Sequence, residues 1–195
     1  MANQKKIGLY FGTFNPIHIG HLVIANHMAN YTELDEVWFV VSPHNPFKNK
    51  KNLLDDYARL ELVYRAVEDY DSLRVTDIEF GLPQPSYTIN TLVHLSEKYP
   101  DHHFSLIMGG DNLTAFHKWK NYEAILENHH LYVYPRLANT TSQLDHHEKV
   151  NLVGAPIMQI SSSFIRNAVK ENKDVRAMLP SKVWEYIDEM NYYKK

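Results

Sequence analysis

The chain has 195 residues, 44% hydrophobic and 22% charged, an ordinary globular composition with length enough for one domain and a sizeable core. Lys and Arg number 20 against 23 Asp and Glu, a net charge of −3, so a basic face for nucleic acid is not expected. Cysteine is absent, which excludes disulfides, iron–sulfur clusters, thiolate zinc sites and a cysteine nucleophile. The longest clean apolar run, Val37 to Val41, is strand-sized, far short of the roughly 18–20 residues that span a bilayer. Met1 to Lys6 is polar and leads straight into an apolar strand, which does not read as a signal peptide. The expected location is the cytoplasm, with no membrane partner.

In chain order, Ile7 to Phe11 reads as a strand, then a Gly/Pro turn from Gly12 to Pro16 and a helix from about Ile19 to Tyr31. Val37 to Ser42 is the second strand. A polar, basic loop from Pro43 to Asn52 precedes a helix from about Asp56 to Tyr70. Leu73 to Ile78 reads as strand three, Tyr87 to Tyr99 as a helix, and Phe104 to Met108 as strand four, ending at Gly109-Gly110-Asp111. A short helix from Tyr122 to Glu127 and a fifth strand from Leu131 to Tyr134 follow. Residues 138 to 149 read as loop and Ile157 to Ile160 as extended. Helices near Ser163 to Glu171 and Ser181 to Met190 complete the pattern. Strands alternating with helices imply right-handed βαβ units and a mostly parallel sheet covered on both faces. No linker divides the chain. The expectation is a single domain over 1–195, helical from about 160. Ligands of such sheets bind beyond the carboxyl ends of the strands, so the loops after each strand are the places to search.

The segment Gly12-Thr13-Phe14-Asn15-Pro16-Ile17-His18-Ile19-Gly20-His21 lies where the first strand turns into a helix. Such a turn directs backbone N–H groups and the positive end of a helix dipole outward, which suits phosphate. Gly12 is expected to let a ligand approach the backbone, and Pro16 to fix the turn. His18 and His21, three apart, share a helix face, and Gly20 between them leaves room for a ring or ribose. Two imidazoles donating to one phosphate would stabilise charge building on it. A surface or cap role is the ordinary reading of any single histidine, and a metal pair is another, but no third ligand stands nearby. Far along the chain, Ile160-Ser161-Ser162-Ser163-Phe164-Ile165-Arg166 places hydroxyls at a helix start and an Arg one turn in, either a serine cap or a second anion site.

The first segment resembles the signature of the His-x-Gly-His nucleotidyltransferase superfamily, whose fold is Rossmann-like, a doubly wound parallel sheet here followed by C-terminal helices. Phe11 stands where many members have glycine. The second resembles the Ile-Ser-Ser-Thr-x-Ile-Arg motif of bacterial nicotinate-nucleotide adenylyltransferases, with Ser163 for the Thr. Three further stretches are similar to the same family. They are Ser42-Pro43-His44-Asn45-Pro46-Phe47-Lys48, Ser86-Tyr87-Thr88-Ile89-Asn90-Thr91-Leu92 with Asn90 for an acid, and Ile107-Met108-Gly109-Gly110-Asp111-Asn112-Leu113 with Trp119 downstream.

The resemblance implies adenylyl transfer from ATP to nicotinate mononucleotide, yielding pyrophosphate and deamido-NAD. It implies that His18 and His21 act on the reacting phosphate. It implies an ATP site of Gly12, Thr13, Phe14, His18, Gly20, His21, Lys48, Gly109, Asp111, Ser162, Ser163 and Arg166. It implies an acceptor site of Tyr87, Thr88, Asp111 and Trp119. Arg136 is a further phosphate or adenine candidate. Magnesium would bridge ATP phosphates, mostly through waters, with no all-protein metal site. Rival readings are another adenylyltransferase of the superfamily using nicotinamide mononucleotide or phosphopantetheine, a cytidylyltransferase, or a nucleotide-binding regulator without turnover. The intact histidine pair speaks against the last. The sequence leaves a homo-oligomer open.

Overall fold

The computed structural model describes residues 4–43, 53–135 and 141–194. Its centre is a six-stranded, all-parallel sheet in the order β3-β2-β1-β4-β5-β6. The strands are β1 (Lys6–Gly12), β2 (Glu36–Val41), β3 (Leu73–Thr76), β4 (His103–Gly109), β5 (Leu131–Tyr134) and β6 (Val150–Leu152). The helices are α1 (Ile19–Tyr31), α2 (Asp56–Val67), α3 (Thr88–Lys98), α4 (Gly110–Thr114), α5 (Tyr122–Asn128), α6 (Ser162–Lys170) and α7 (Ser181–Glu189). The expected α/β doubly wound sheet is therefore what forms. No described helix is long and apolar enough to cross a membrane.

Why the sheet has two covered faces follows from side-chain alternation. Tyr10, Phe39, Val41, Ile107, Tyr132 and Tyr134 enter one core, packed with residues of α1, α2, α6 and α7. Their neighbours Ile7, Leu9, Trp38, Val40, Leu106, Met108, Leu131 and Val133 enter the other, under α3, α4 and α5. Every residue of β2 is buried, as expected of a strand enclosed on both faces. Each large apolar side chain so buried contributes about 1.5–3 kcal/mol relative to exposure.

The chain reverses direction of winding between β1 and β4, which pair in parallel with Leu9 opposite Leu106. That is the topological switch point, where a crevice opens beyond the carboxyl ends of the strands.

Three elements differ from the sequence reading. Ile157 to Ile160 joins no strand. The sheet edge is instead β6, just past the stretch that reads as loop, because three residues at least partly exposed carry too little alternation to show as a strand. After β4 the chain enters α4 at once and then a 3-10 turn from Phe116 to Lys118, elements the sequence reading left unassigned. Strand β3 stops at Thr76, and Ile78–Gly81 form a 3-10 turn.

Candidate active site

The turn between β1 and α1 is built around one aromatic ring. Phe14 has φ 44°, in the left-handed region, and its ring is buried against Tyr10, Phe39 and His21. A Cβ on Gly12 would lie 2.8 Å from that ring. The space beside Gly12, expected for a ligand, is thus filled by Phe14, and the glycine serves the turn itself. Gly20 is similar. A Cβ there would lie 3.1 Å from the His18 ring, so the room it leaves is taken by His18.

His18 is the N-cap of α1, and His21 lies one turn in. Their rings stack, with centroids 3.7 Å apart and planes 26° apart. The backbone N–H of His18 donates to His21 Nδ1 at 3.2 Å, and the His21 N–H donates to His18 O at 2.9 Å, while the buried His18 Nδ1 has no hydrogen-bond partner among the described residues. An Nδ1 that accepts leaves the proton on Nε2, so His21 offers Nε2–H as its donor. His18 is only 5% exposed, and burial lowers its pKa to about 4. It is a neutral imidazole at ordinary pH.

Beyond the pair lies a cleft of about 520 Å³, within the range of small-ligand sites. His18, Gly20, His21 and Ile24 line one wall, Tyr10 and Tyr134 the floor, and residues 156–162 the facing wall. The facing wall ends at Ser161, the N-cap of α6, whose hydroxyl accepts from Phe164 N at 3.2 Å. Of the two readings the sequence offered, the serine cap forms, at Ser161. Two helix N-termini, α1 and α6, open into one cleft, and their first amides have no helical partner. That arrangement favours an anion through the N–H groups and through both dipoles.

The Ser162 hydroxyl donates to Pro16 O at 2.8 Å, and Arg166 Nη1 donates to Asn15 O at 2.7 Å. Arg166 Nη2 also donates to Ser163 Oγ at 3.2 Å. These side chains, expected on phosphate, brace the histidine turn from behind. Arg59 does the same from α2. It is 0% exposed and donates to Thr13 O at 2.7 Å and Ser42 O at 2.8 Å. Sequence reasoning missed Arg59, although it falls on the apolar face of α2 with Leu62, Val63 and Ala66, a spacing that marks a buried cation.

The expected acceptor residues follow β3 and β4 in the chain. Gly109 ends β4 and caps α4, while Asp111 lies exposed in its first turn. Trp119 is half-buried against Phe116, 5.2 Å between ring centroids. Tyr87 is the N-cap of α3 without a side-chain cap, which leaves the first amides of α3 facing outward near Thr88. Its ring, 40% exposed, lies under Lys120, with Nζ 4.4 Å from the centroid. Lys120 and Glu79 were not legible in the sequence, because both act across the fold. Glu79 is buried, accepts from Thr91 at 2.7 Å and from Ser86, and has its pKa raised by that burial. It anchors the Ser86 to Thr91 segment. Asn90 is exposed. Lys48 and Arg136 lie outside the described residues. Among the described residues, no group of His, Asp or Glu is placed to hold a metal ion.

A histidine pair between two helix N-termini, at the switch point of a 3-2-1-4-5-6 sheet, defines a nucleotide-handling α/β protein. Residues 9–168 match the model of the cytidylyltransferase-like family. A Flavobacterium johnsoniae protein that carries the name nicotinate-nucleotide adenylyltransferase is 62% identical over 97% of this chain and 100% of its own length. One of the same name from Christiangramia forsetii is 59% identical over 98% and 100%. The solved Plasmodium falciparum nicotinic acid mononucleotide adenylyltransferase complexed with NaAD superposes with a TM-score of 0.77 at 20% identity, covering 97% of this chain and 98% of its own, a likeness of fold. This chain belongs to the cytidylyltransferase-like family and, within it, to the nicotinate-nucleotide adenylyltransferases.

Proposed function

We propose that the chain transfers the adenylyl group of ATP to the 5′-phosphate of nicotinate mononucleotide in NAD biosynthesis. A phosphate oxygen of the mononucleotide attacks the α-phosphorus of ATP in line. The new O–P bond forms as the bond to the β-phosphate oxygen breaks, and pyrophosphate leaves with the electron pair. The products are deamido-NAD and pyrophosphate. Positioning and charge stabilisation supply most of the rate in such a transfer, and no covalent nucleophile is needed.

The observation that carries this reading is the stacked His18–His21 pair at the mouth of a cleft shared by two helix N-termini. Being neutral, His18 acts with His21 as a hydrogen-bond donor to the reacting phosphate rather than as a fixed positive charge. The amides at the starts of α1 and α6 hold the triphosphate. Ser162, Ser163 and Arg166 act on the same phosphates, in part through the turn they brace, and Lys48 reaches them from the loop after β2. Gly109 and Asp111 meet ribose hydroxyls. Trp119 stacks on the pyridine ring, and the amides near Tyr87 and Thr88 meet its carboxylate. Mg²⁺ enters with ATP as part of the substrate, held by phosphate oxygens and waters. The close identity with named adenylyltransferases along nearly the whole chain supports the choice of acceptor over phosphopantetheine.

The test is direct. The purified protein receives Mg²⁺ and ATP with nicotinate mononucleotide, nicotinamide mononucleotide or phosphopantetheine, and pyrophosphate release is followed. The acid mononucleotide is expected to give the fastest turnover. Release only with another acceptor overturns the reading.

A further inference from the structure

The turn that carries the histidines is also held by a residue 178 positions away in sequence. Asn15 is 4% exposed. Besides its carbonyl bond to Arg166, its side-chain Oδ1 accepts from the Tyr193 hydroxyl at 2.8 Å and from Leu54 N at 3.3 Å. Tyr193 lies in the segment that follows α7, which folds back over the α1/α2 face of the sheet and packs against that core. Its φ is 64°, in a region that side-chain-bearing residues adopt at a cost. Phe14, the neighbour of Asn15, has φ 44°. Two backbone distortions therefore flank one part-buried hydrogen bond. Distortion of that kind persists where surrounding contacts over-determine it, and it concentrates at working sites. The Tyr193 phenol is pushed above its ordinary pKa by burial, against the pull of Arg166 and Arg59 beside it. It stays a donor at any physiological pH.

We infer that Tyr193 is a positioning residue for adenylyl transfer: through Asn15 it fixes the turn from Thr13 to Pro16 and so places His18 and His21 over the reacting phosphate. The inference rests on the functional reading above. The chemistry is that of a preorganised donor set. A displacement of about 1 Å in such a set costs roughly a hundredfold in rate, and the three remaining braces limit the loss here.

Tyr193→Phe keeps the ring and removes only the hydroxyl. Its kcat is expected to fall by about five- to tenfold, a fraction of the loss for full misplacement, with KM for nicotinate mononucleotide near the wild-type value. Tyr192→Phe is the control, since the Tyr192 hydroxyl pairs with Tyr186. It should leave kcat unchanged. In an Asn15→Ala background, Tyr193→Phe should add no further loss. A wild-type kcat in Tyr193→Phe, or a full second loss in the Asn15→Ala background, overturns the inference. A merely structural tyrosine would lower the melting temperature and leave the kcat of the folded protein intact. Ring resonances of His18 and His21 in histidine-labelled protein provide a readout without turnover. They should shift in Tyr193→Phe and not in Tyr192→Phe, and unmoved resonances overturn the inference. Failure of the wild type to use nicotinate mononucleotide would instead refute the functional reading, with the resonances still deciding the placement.

Discussion

The two halves of the site are held in different ways. The phosphate half is fixed by buried, long-range contacts. Arg59, Ser162, Arg166 and Tyr193 reach the Thr13 to Pro16 turn from two helices, α2 and α6, and the segment after α7. The acceptor half has fewer braces: Lys120 lies over the half-exposed Tyr87 ring, and the buried Glu79 accepts from Ser86 and Thr91. The difference teaches where precision is needed. Charge develops at the phosphate, so its donors must be immobile, whereas choice of acceptor needs only a small difference in binding.

The sharpest way to break this comparison is to remove a histidine. His18→Ala or His21→Ala should lower kcat by roughly 10² to 10³, about 2.7–4 kcal/mol, the usual cost of one preorganised donor. Steady-state pyrophosphate release at saturating substrates measures it. Near-normal turnover in both variants removes the catalytic role assigned to the pair.

Acid tests the rigidity of the phosphate half. His18 has a folded pKa of about 4 against 6.5 when free in solution, lowered by burial. Between those values the unfolded chain binds a proton that the folded chain refuses. Stability is therefore unaffected above about pH 6.5, falls as the pH drops towards 4, and takes no further loss from this group below that. Two and a half units at 1.36 kcal/mol each set the ceiling at about 3 kcal/mol. Denaturant titrations at pH 7 and pH 4.5 should show this slope in the wild type and a shallower one in His18→Gln. Equal slopes would mean His18 is not buried.

On the acceptor side the expected effects are smaller. Backbone donors aimed at a carboxylate meet an amide NH₂ in the nicotinamide analogue, so the acid should be preferred by at least about tenfold in kcat/KM, or 1.4 kcal/mol. Equal values would mean that those amides do not read the group. Smallest of all, Lys120→Met removes an exposed cation–π contact worth about 0.5–1 kcal/mol. KM for the mononucleotide should rise about two- to fivefold, in line with that energy, while KM for ATP stays. A rise for both substrates would place Lys120 in the shared chemistry instead.

Much of this was legible in the sequence, for physical reasons. Hydrophobic runs of strand length alternating with amphipathic stretches dictated the parallel sheet. The turn from Gly12 to His21 was visible because its phosphate-directed features are contiguous. What stayed hidden depends on contacts between distant residues. Nothing near Tyr193 indicates Asn15, and nothing near Lys120 indicates Tyr87. Gly12 and Gly20 were read as openings for ligand because a sequence does not show which ring fills a glycine's empty side. Strand β6 was missed because three residues at a sheet edge carry no periodic signal.

The meeting of α1 and α6 at the cleft has a thermodynamic side. Both helices turn their positive ends into the same space, and Ser162 and Pro16, joined by a hydrogen bond, are 146 residues apart in the chain. Like-signed helix ends held together repel, an unfavourable contribution at the point where the first and last thirds of the chain meet. An anion in the cleft relieves it and staples the two ends of the chain. With nucleotide bound there as proposed, a concentration a hundred times its dissociation constant is expected to add about 2.7 kcal/mol to the stability of the molecule that consumes it.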